Sequence, residues 1–194
     1  MTMGALQNFF FLLIISCYIH TIDSEQEETG FVSSLNPKLF EIKETFSHFR
    51  FYWQDIVGGN NATSISIIPP LPKFNNDFSA FGLVRIIDNA LTLGPNLSSK
   101  LLGRAQGFYA ATSQTELNFL MVMNFALFEG KYNGSAITIL GRNVANNKVR
   151  ELSVIGGSGV FRFAKGYAEA NTISFNPITG NTVVEYNVFV SHHY

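Results

Sequence analysis

From residue 46 onward the chain alternates short apolar-rich runs with clusters of Gly, Pro and Asn. The runs are residues 46–57, 62–68, 81–88, 103–112, 117–129, 135–142, 149–155, 160–175 and 182–191. Between them stand Gly58-Gly59-Asn60, Pro69-Pro70, Gly94-Pro95, Tyr132-Asn133-Gly134, Gly156-Gly157 and Thr179-Gly180-Asn181, residues that supply the backbone angles and side-chain-to-backbone bonds of turns. No long stretch repeats apolar residues at helical spacing. Eight or nine strands at these intervals predict an all-β fold, either a sandwich or an up-and-down antiparallel barrel.

Successive side chains of a strand face opposite ways, so each run divides into two rows. In residues 46–57 one row holds Phe49, Phe51, Trp53, Asp55 and Val57, and the other His48, Arg50, Tyr52 and Gln54. Asp55 thus shares an aromatic face, where loss of hydration raises a carboxyl pKa and suits it to act as a general acid near neutral pH. The competing reading is a cap on the Gly58-Gly59 turn. In residues 103–111 one row is Gly103, Ala105, Gly107, Tyr109 and Ala111. Such small residues either leave a ligand cavity inside a barrel, with Tyr109 projecting into it, or allow two backbones to approach closely. Arg150 shares its row with Leu152 and Val154, and a buried guanidinium there needs a carboxylate, an electron-rich ligand oxygen, or a salt bridge such as one with Glu151 of a neighbouring strand or chain. Residues 117–128 are apolar on both rows, which predicts a subunit partner over part of the outer face, or a central strand in a two-layer sandwich.

At 194 residues there is room for one compact domain. Thirteen basic against fourteen acidic side chains leave no field to gather nucleic acid. Residues 9–19 form an apolar run too short to span a bilayer as a helix and of the length found in secretory leaders. The expected organisation is a signal peptide over 1–24, a loose mature N-terminus over 25–45 and a β domain over 46–194, secreted to the extracellular space. The single cysteine, Cys17, falls in the leader, so no disulfide is expected. Sequons at Asn61, Asn96 and Asn133 agree with secretion and predict glycosylation. A metal site or serine triad would rest on His48 alone among the histidines of the mature domain core, and neither is expected. Gly156-Gly157-Ser158-Gly159 lies between two strands and is read as a hairpin turn, not a phosphate loop. No nicotinamide or flavin fingerprint occurs, so no redox cofactor is expected.

Several motifs in order, Tyr52-Trp53-Gln54-Asp55-Ile56, Asn61-Ala62-Thr63-Ser64, Leu91-Thr92-Leu93-Gly94-Pro95, Gly103-Arg104-Ala105-Gln106-Gly107, Gly130-Lys131-Tyr132-Asn133-Gly134-Ser135, Val149-Arg150-Glu151, Val154-Ile155-Gly156-Gly157-Ser158-Gly159 and Val184-Glu185-Tyr186, resemble the plant dirigent family. The resemblance implies an eight-stranded antiparallel β-barrel, similar to the allene oxide cyclase barrel, secreted to the apoplast as a glycosylated homodimer or homotrimer. In that family a separate oxidase or laccase makes phenoxy radicals from coniferyl alcohol, and the barrel orients two of them to give one lignan enantiomer without oxidising anything itself. By resemblance the pocket acid is Asp55, the pocket tyrosine Tyr109 and the pocket arginine Arg150, with Phe51, Trp53 and Asn143 against the substrate. Three positions depart from the lignan-forming pattern. Asn143 stands in place of a second acid, Ala111 in place of a second tyrosine, and Gln54 in place of a histidine. One acid suffices for a single dehydration, which suits the pterocarpan-synthase-like branch, whose members close an isoflavanol through a quinone methide. A defence protein that binds a phenolic without converting it is a further expectation.

Overall fold

The structure, a computed structural model, describes residues 43–193. The leader expected over 1–24, and the expected N-terminal segment as far as residue 42, lie outside the described residues. The strands are β1 (Glu44–Asp55), β2 (Ser64–Ile68), β3 (Val84–Thr92), β4 (Leu101–Ala111), β5 (Asn118–Leu127), β6 (Ala136–Val144), β7 (Arg150–Ser158), β8 (Lys165–Phe175) and β9 (Thr182–His193). β1 starts at Glu44, ahead of the expected boundary at 46, because Glu44 and Thr45 pair with His193 and His192 of β9.

Every neighbouring pair is antiparallel, and the order β1-β9-β8-β7-β6-β5-β4-β3 is closed by pairing of β1 with β3. β3 meets β1 through Ala90, Leu91 and Thr92, and meets β2 through Val84 to Ile87. β1 and β2 therefore fill a single place in the wall, and the result is the eight-stranded barrel, not a sandwich. Between them the chain leaves the wall. The N–H groups of Thr63 and Ser64 both donate to the Ile56 carbonyl, at 2.8 and 3.0 Å, and Asp88 N–H donates to Thr63 O at 2.9 Å. This excursion ends β1 at Asp55 and begins β2 at Ser64.

One part of the interior is packed solid. Phe51 meets Phe125 edge-on with ring centres 5.0 Å apart, and Phe125 meets Tyr186 at 5.3 Å. Ala105, Met123, Ile137 and Val188 complete this plug, all buried. The small row of β4 serves the wall. A Cβ on Gly103 would lie 2.1 Å from the Ala126 carbonyl oxygen, and one on Gly107 2.1 Å from that of Val122, so the glycines let β4 coil against β5. Close backbone approach, not cavity formation, is the role of this row up to Gly107.

Among the boundaries that differ from those expected, two bear on the wall around the site. β7 continues through Gly156 and Gly157, which pair with Thr138 and Ile137, so the hairpin turn expected there falls later, at the 3-10 turn Gly159–Phe161. Gly157 is required because a Cβ would stand 2.3 Å from Ala136 O and 2.6 Å from Phe161 Cβ. β3 runs to Thr92, beyond the run expected to end at 88, and this brings Asn89 into the wall.

Candidate functional site

Beyond the aromatic plug the barrel opens into a cavity of about 360 Å³, within the ~300–1,000 Å³ range of small-molecule sites. Its apolar lining includes Trp53, Leu117, Phe119, Met121, Phe175 and Val184, and its polar lining includes Asp55, Tyr109, Asn143, Arg150, Thr172 and Thr182. Asp55 is the last residue of β1 and Arg150 the first of β7, so both stand where the wall strands end.

Asp55 is 6% exposed. Asn89 donates Nδ2–H to Asp55 Oδ1 at 3.0 Å, and Tyr109 donates its hydroxyl to Oδ2 at 3.2 Å. Tyr109 OH also lies 3.0 Å from Ser64 Oγ, which accepts from Arg85 Nε at 3.0 Å while Arg85 Nη2 donates to Ser64 O at 2.6 Å. Thr63 Oγ1 donates to Asn89 Oδ1 at 2.6 Å and fixes that amide. Burial pushes the Asp55 carboxyl above the usual aspartate range, opposed by the bonds from Asn89, Tyr109 and Ser64 and by the charge of Arg85. Burial and the nearby Asp55 charge push the Tyr109 phenol well up as well, so it remains a neutral donor or acceptor. Asp55 is thus an acid that keeps its proton to higher pH than a surface aspartate, and it is not a turn cap.

Facing it from the other side of the cavity is a second polar pole. Arg150 is 6% exposed, donates Nε–H to Asn143 Oδ1 at 3.0 Å and Nη1–H to the Asn147 carbonyl at 3.4 Å. No carboxylate among the described residues lies within ion-pair distance of it, and Glu151 is exposed on the opposite face of β7. Burial lowers the Arg150 pKa, and the buried Tyr186 phenol opposes this weakly.

Row alternation brings together Asp55, Tyr109, Arg150, Trp53 and Asn143 around one cavity. Phe51 is not among the lining residues and packs below, in the aromatic plug. Gln54 is buried outside the cavity, donating Nε2–H to Thr92 Oγ1 at 2.9 Å and Pro95 O at 3.1 Å. His48 sits on the outer surface, bonded to Asn187 Oδ1 and stacked on Phe189. Ser64, Asn89 and Arg85 were missed by sequence reasoning. The signal that would have found Asn89 is its odd-row position relative to Ile87 and Leu91, both buried in β3. The sequon asparagines Asn61, Asn96 and Asn133 are all exposed. No helix among the described residues is long and apolar enough to cross a membrane.

Comparison with known proteins sets this geometry in context. Residues 46–191 match the family described as Dirigent-like protein. The chain is 48% identical to Dirigent protein 7 of Arabidopsis thaliana over 90% of its length and 92% of the relative's. It is 43% identical to Pterocarpan synthase 1 of Glycine max, covering 84% of this chain and 88% of that one. The solved structure of the pterocarpan synthase dirigent protein GePTS1 superposes with a TM-score of 0.75 at 40% identity, covering 84% of this chain and 89% of the other.

Proposed function

Because the chain belongs to the dirigent family, we propose that it imparts stereoselectivity on the coupling of phenoxy radicals. Two coniferyl alcohol radicals, made by a separate oxidase or laccase, couple to an optically active lignan in the cavity described above. The observation that carries this reading is a buried Asp55, its carboxyl pushed above the usual aspartate range by burial, bonded by Tyr109 and opening on a ring-lined cavity. Coupling forms one carbon–carbon bond and leaves a quinone methide on each half. As a side-chain hydroxyl adds to the methide carbon, the quinone oxygen takes a proton from Asp55, and the hydroxyl proton restores the acid. The walls of Trp53, Phe119 and Met121 favour one face of approach, and about 1.4 kcal/mol between the two faces gives roughly tenfold selectivity. Incubation of coniferyl alcohol with an oxidant and the protein tests the proposal. An enantiomeric excess supports it, and a racemic product overturns it.

One observation favours a second reading. Among the described residues Asp55 is the only carboxyl lining the cavity, with Asn143 where a second acid would stand, and relatives at 43% and 40% identity are named pterocarpan synthases. On this reading Asp55 protonates the leaving hydroxyl of an isoflavanol, water departs to leave a protonated quinone methide, and the ring phenol closes on the methide carbon as its own proton returns to Asp55. Conversion of an isoflavanol with no oxidant present distinguishes it. Binding of either phenolic with no turnover leaves a passive binder.

Secretion to the apoplast and glycosylation at Asn61, Asn96 and Asn133 belong to the same proposal, supported by the exposure of all three asparagines. So does a homodimer or homotrimer. Cross-strand partners Ile65, Ile86, Phe108, Val122 and Leu140 form one apolar row across the outer face of β2 to β6, and Ile65, Ile86, Phe108 and Leu140 are 49, 51, 39 and 37% exposed. A contiguous apolar row of this kind is what a second copy covers.

A further inference from the structure

The two ends of the cavity differ in hydrogen-bonding character. At one end Asp55 already accepts from Asn89 and Tyr109. At the other, donors outnumber acceptors. Asn143 Oδ1 is taken by Arg150 Nε, which fixes the amide so that its Nδ2 has hydrogens to give. Among the described residues Arg150 Nη2 has no acceptor, and Nη1 has only the long contact to Asn147 O. Elsewhere in the cavity lining Trp53, 5% exposed, holds a buried Nε1–H without an acceptor among the described residues. A buried guanidinium without a carboxylate carries an uncompensated desolvation penalty that a neutral alcohol relieves poorly and an anionic oxygen relieves well. The titratable groups around it, Asp55 on β1, Tyr109 on β4 and Tyr186 on β9, make no ion pair or hydrogen bond with it among the described residues. Burial holds all three toward their neutral forms.

We propose that Arg150 and Asn143 form an oxyanion receptor, and that the ligand of this barrel is a phenolic presenting a carboxylate or phenolate at that pole. This rests on the cavity being the substrate site and adds the charge state of what enters. A neutral phenolic such as coniferyl alcohol is then an acceptable occupant, and a charged one a preferred occupant. In the same terms Asn143 is a selectivity residue: an aspartate there would neutralise Arg150 internally and remove the demand for an anionic ligand.

Titration calorimetry on the whole folded protein tests this with ferulate, its methyl ester and coniferyl alcohol. The three share one ring, and the ester keeps the carbonyl without the charge. With a carboxylate at that pole, the expected result at pH 7 is ferulate binding about tenfold or more tighter than the ester, the range for a charge-assisted bond in a buried site. Arg150→Gln is expected to erase that ratio. Asn143→Asp, which supplies a protein carboxylate, is expected to do the same by another route and covers the case in which Arg150→Gln does not fold. Repeating the titration towards the phenol pKa near ~10 separates the two oxygens. Affinity for the ester rises with pH if phenolate is the species bound, and stays level if carboxylate is. Equal affinity for acid and ester with no rise for either towards high pH, a ferulate preference or a high-pH rise that survives Arg150→Gln, or no binding of any probe overturns the proposal. Loss of enantioselective coupling with the ferulate preference intact would overturn the radical-coupling reading alone.

Discussion

Tyr109 and Asp55 are joined by a 3.2 Å hydrogen bond although they lie on different strands, and Asn89, from the strand between them, bonds the same carboxyl at 3.0 Å. The acid is held from two sides within the wall itself, and not by a loop. Its orientation is therefore fixed before any ligand arrives.

Asp55→Asn removes the only carboxyl that lines the cavity among the described residues. Chemistry that needs its proton is expected to fall by about 10²–10⁴-fold, the usual range for a general acid. Binding of the phenolic should change far less, since Tyr109 can reverse its hydroxyl to meet the new amide. Turnover measured beside affinity checks the split.

The same variant has a signature in stability. Burial raises Asp55 in the folded protein, so the folded state holds this proton more tightly than the unfolded chain. The group's contribution is full below the unfolded value of about 3.9 and declines as pH rises through the folded value. The Tm of Asp55→Asn relative to the parent is expected to climb as pH rises above ~4 and then level off. A constant difference across that window would show that Asp55 ionises as freely folded as unfolded.

Ser64→Ala removes one of the bonds that oppose the rise in the Asp55 pKa. The alkaline limb of any activity that needs protonated Asp55 is expected to move to higher pH, with Ser64→Thr restoring the parent profile. A lower rate at unchanged pH dependence would mean that Ser64 only packs.

Gly107→Ala places a methyl 2.1 Å from the Val122 carbonyl oxygen, in backbone that cannot yield as a side chain can. Loss of about 2–4 kcal/mol in denaturant unfolding is expected, as for overpacking at a site without slack. Gly59→Ala is the control, since nothing lies within 4 Å of its Cβ and only its φ of +92° opposes it.

Phe108→Asp puts a charge in the middle of the apolar row running from Ile65 to Leu140. A lower oligomeric state in light scattering is expected, with ligand affinity kept because Phe108 points away from the cavity. Tyr109, its neighbour, points in.

The strands and the facing of three polar groups were legible because a strand has a period of two, whereas the choice of barrel over sandwich rested on the family resemblance. Counting alternate positions from Phe51 or Leu152 puts Asp55 and Arg150 inside without any knowledge of pairing. Phe51 itself was placed on the correct face, yet alternation says nothing about depth along the barrel, and depth decides whether a ring lines the cavity or plugs it. Ser64 was hidden for another reason. It reaches Tyr109 only because β2 resumes the place in the wall that β1 vacates, a consequence of closure that no local pattern encodes. Arg85 is seen only through Ser64. Gly156 and Gly157 misled in the opposite sense, since residues typical of turns were needed here inside a strand, beneath Phe161.

The gap between Asp55 and Ser64 gives the barrel a seam at its most chemically sensitive point. The two flanking segments are each zipped to β3, so the intervening loop of residues 56–63 can change length or sequence without unravelling the cylinder. Divergence among descendants of this gene can accumulate there, altering how deeply the acid is sheltered while the scaffold stays the same.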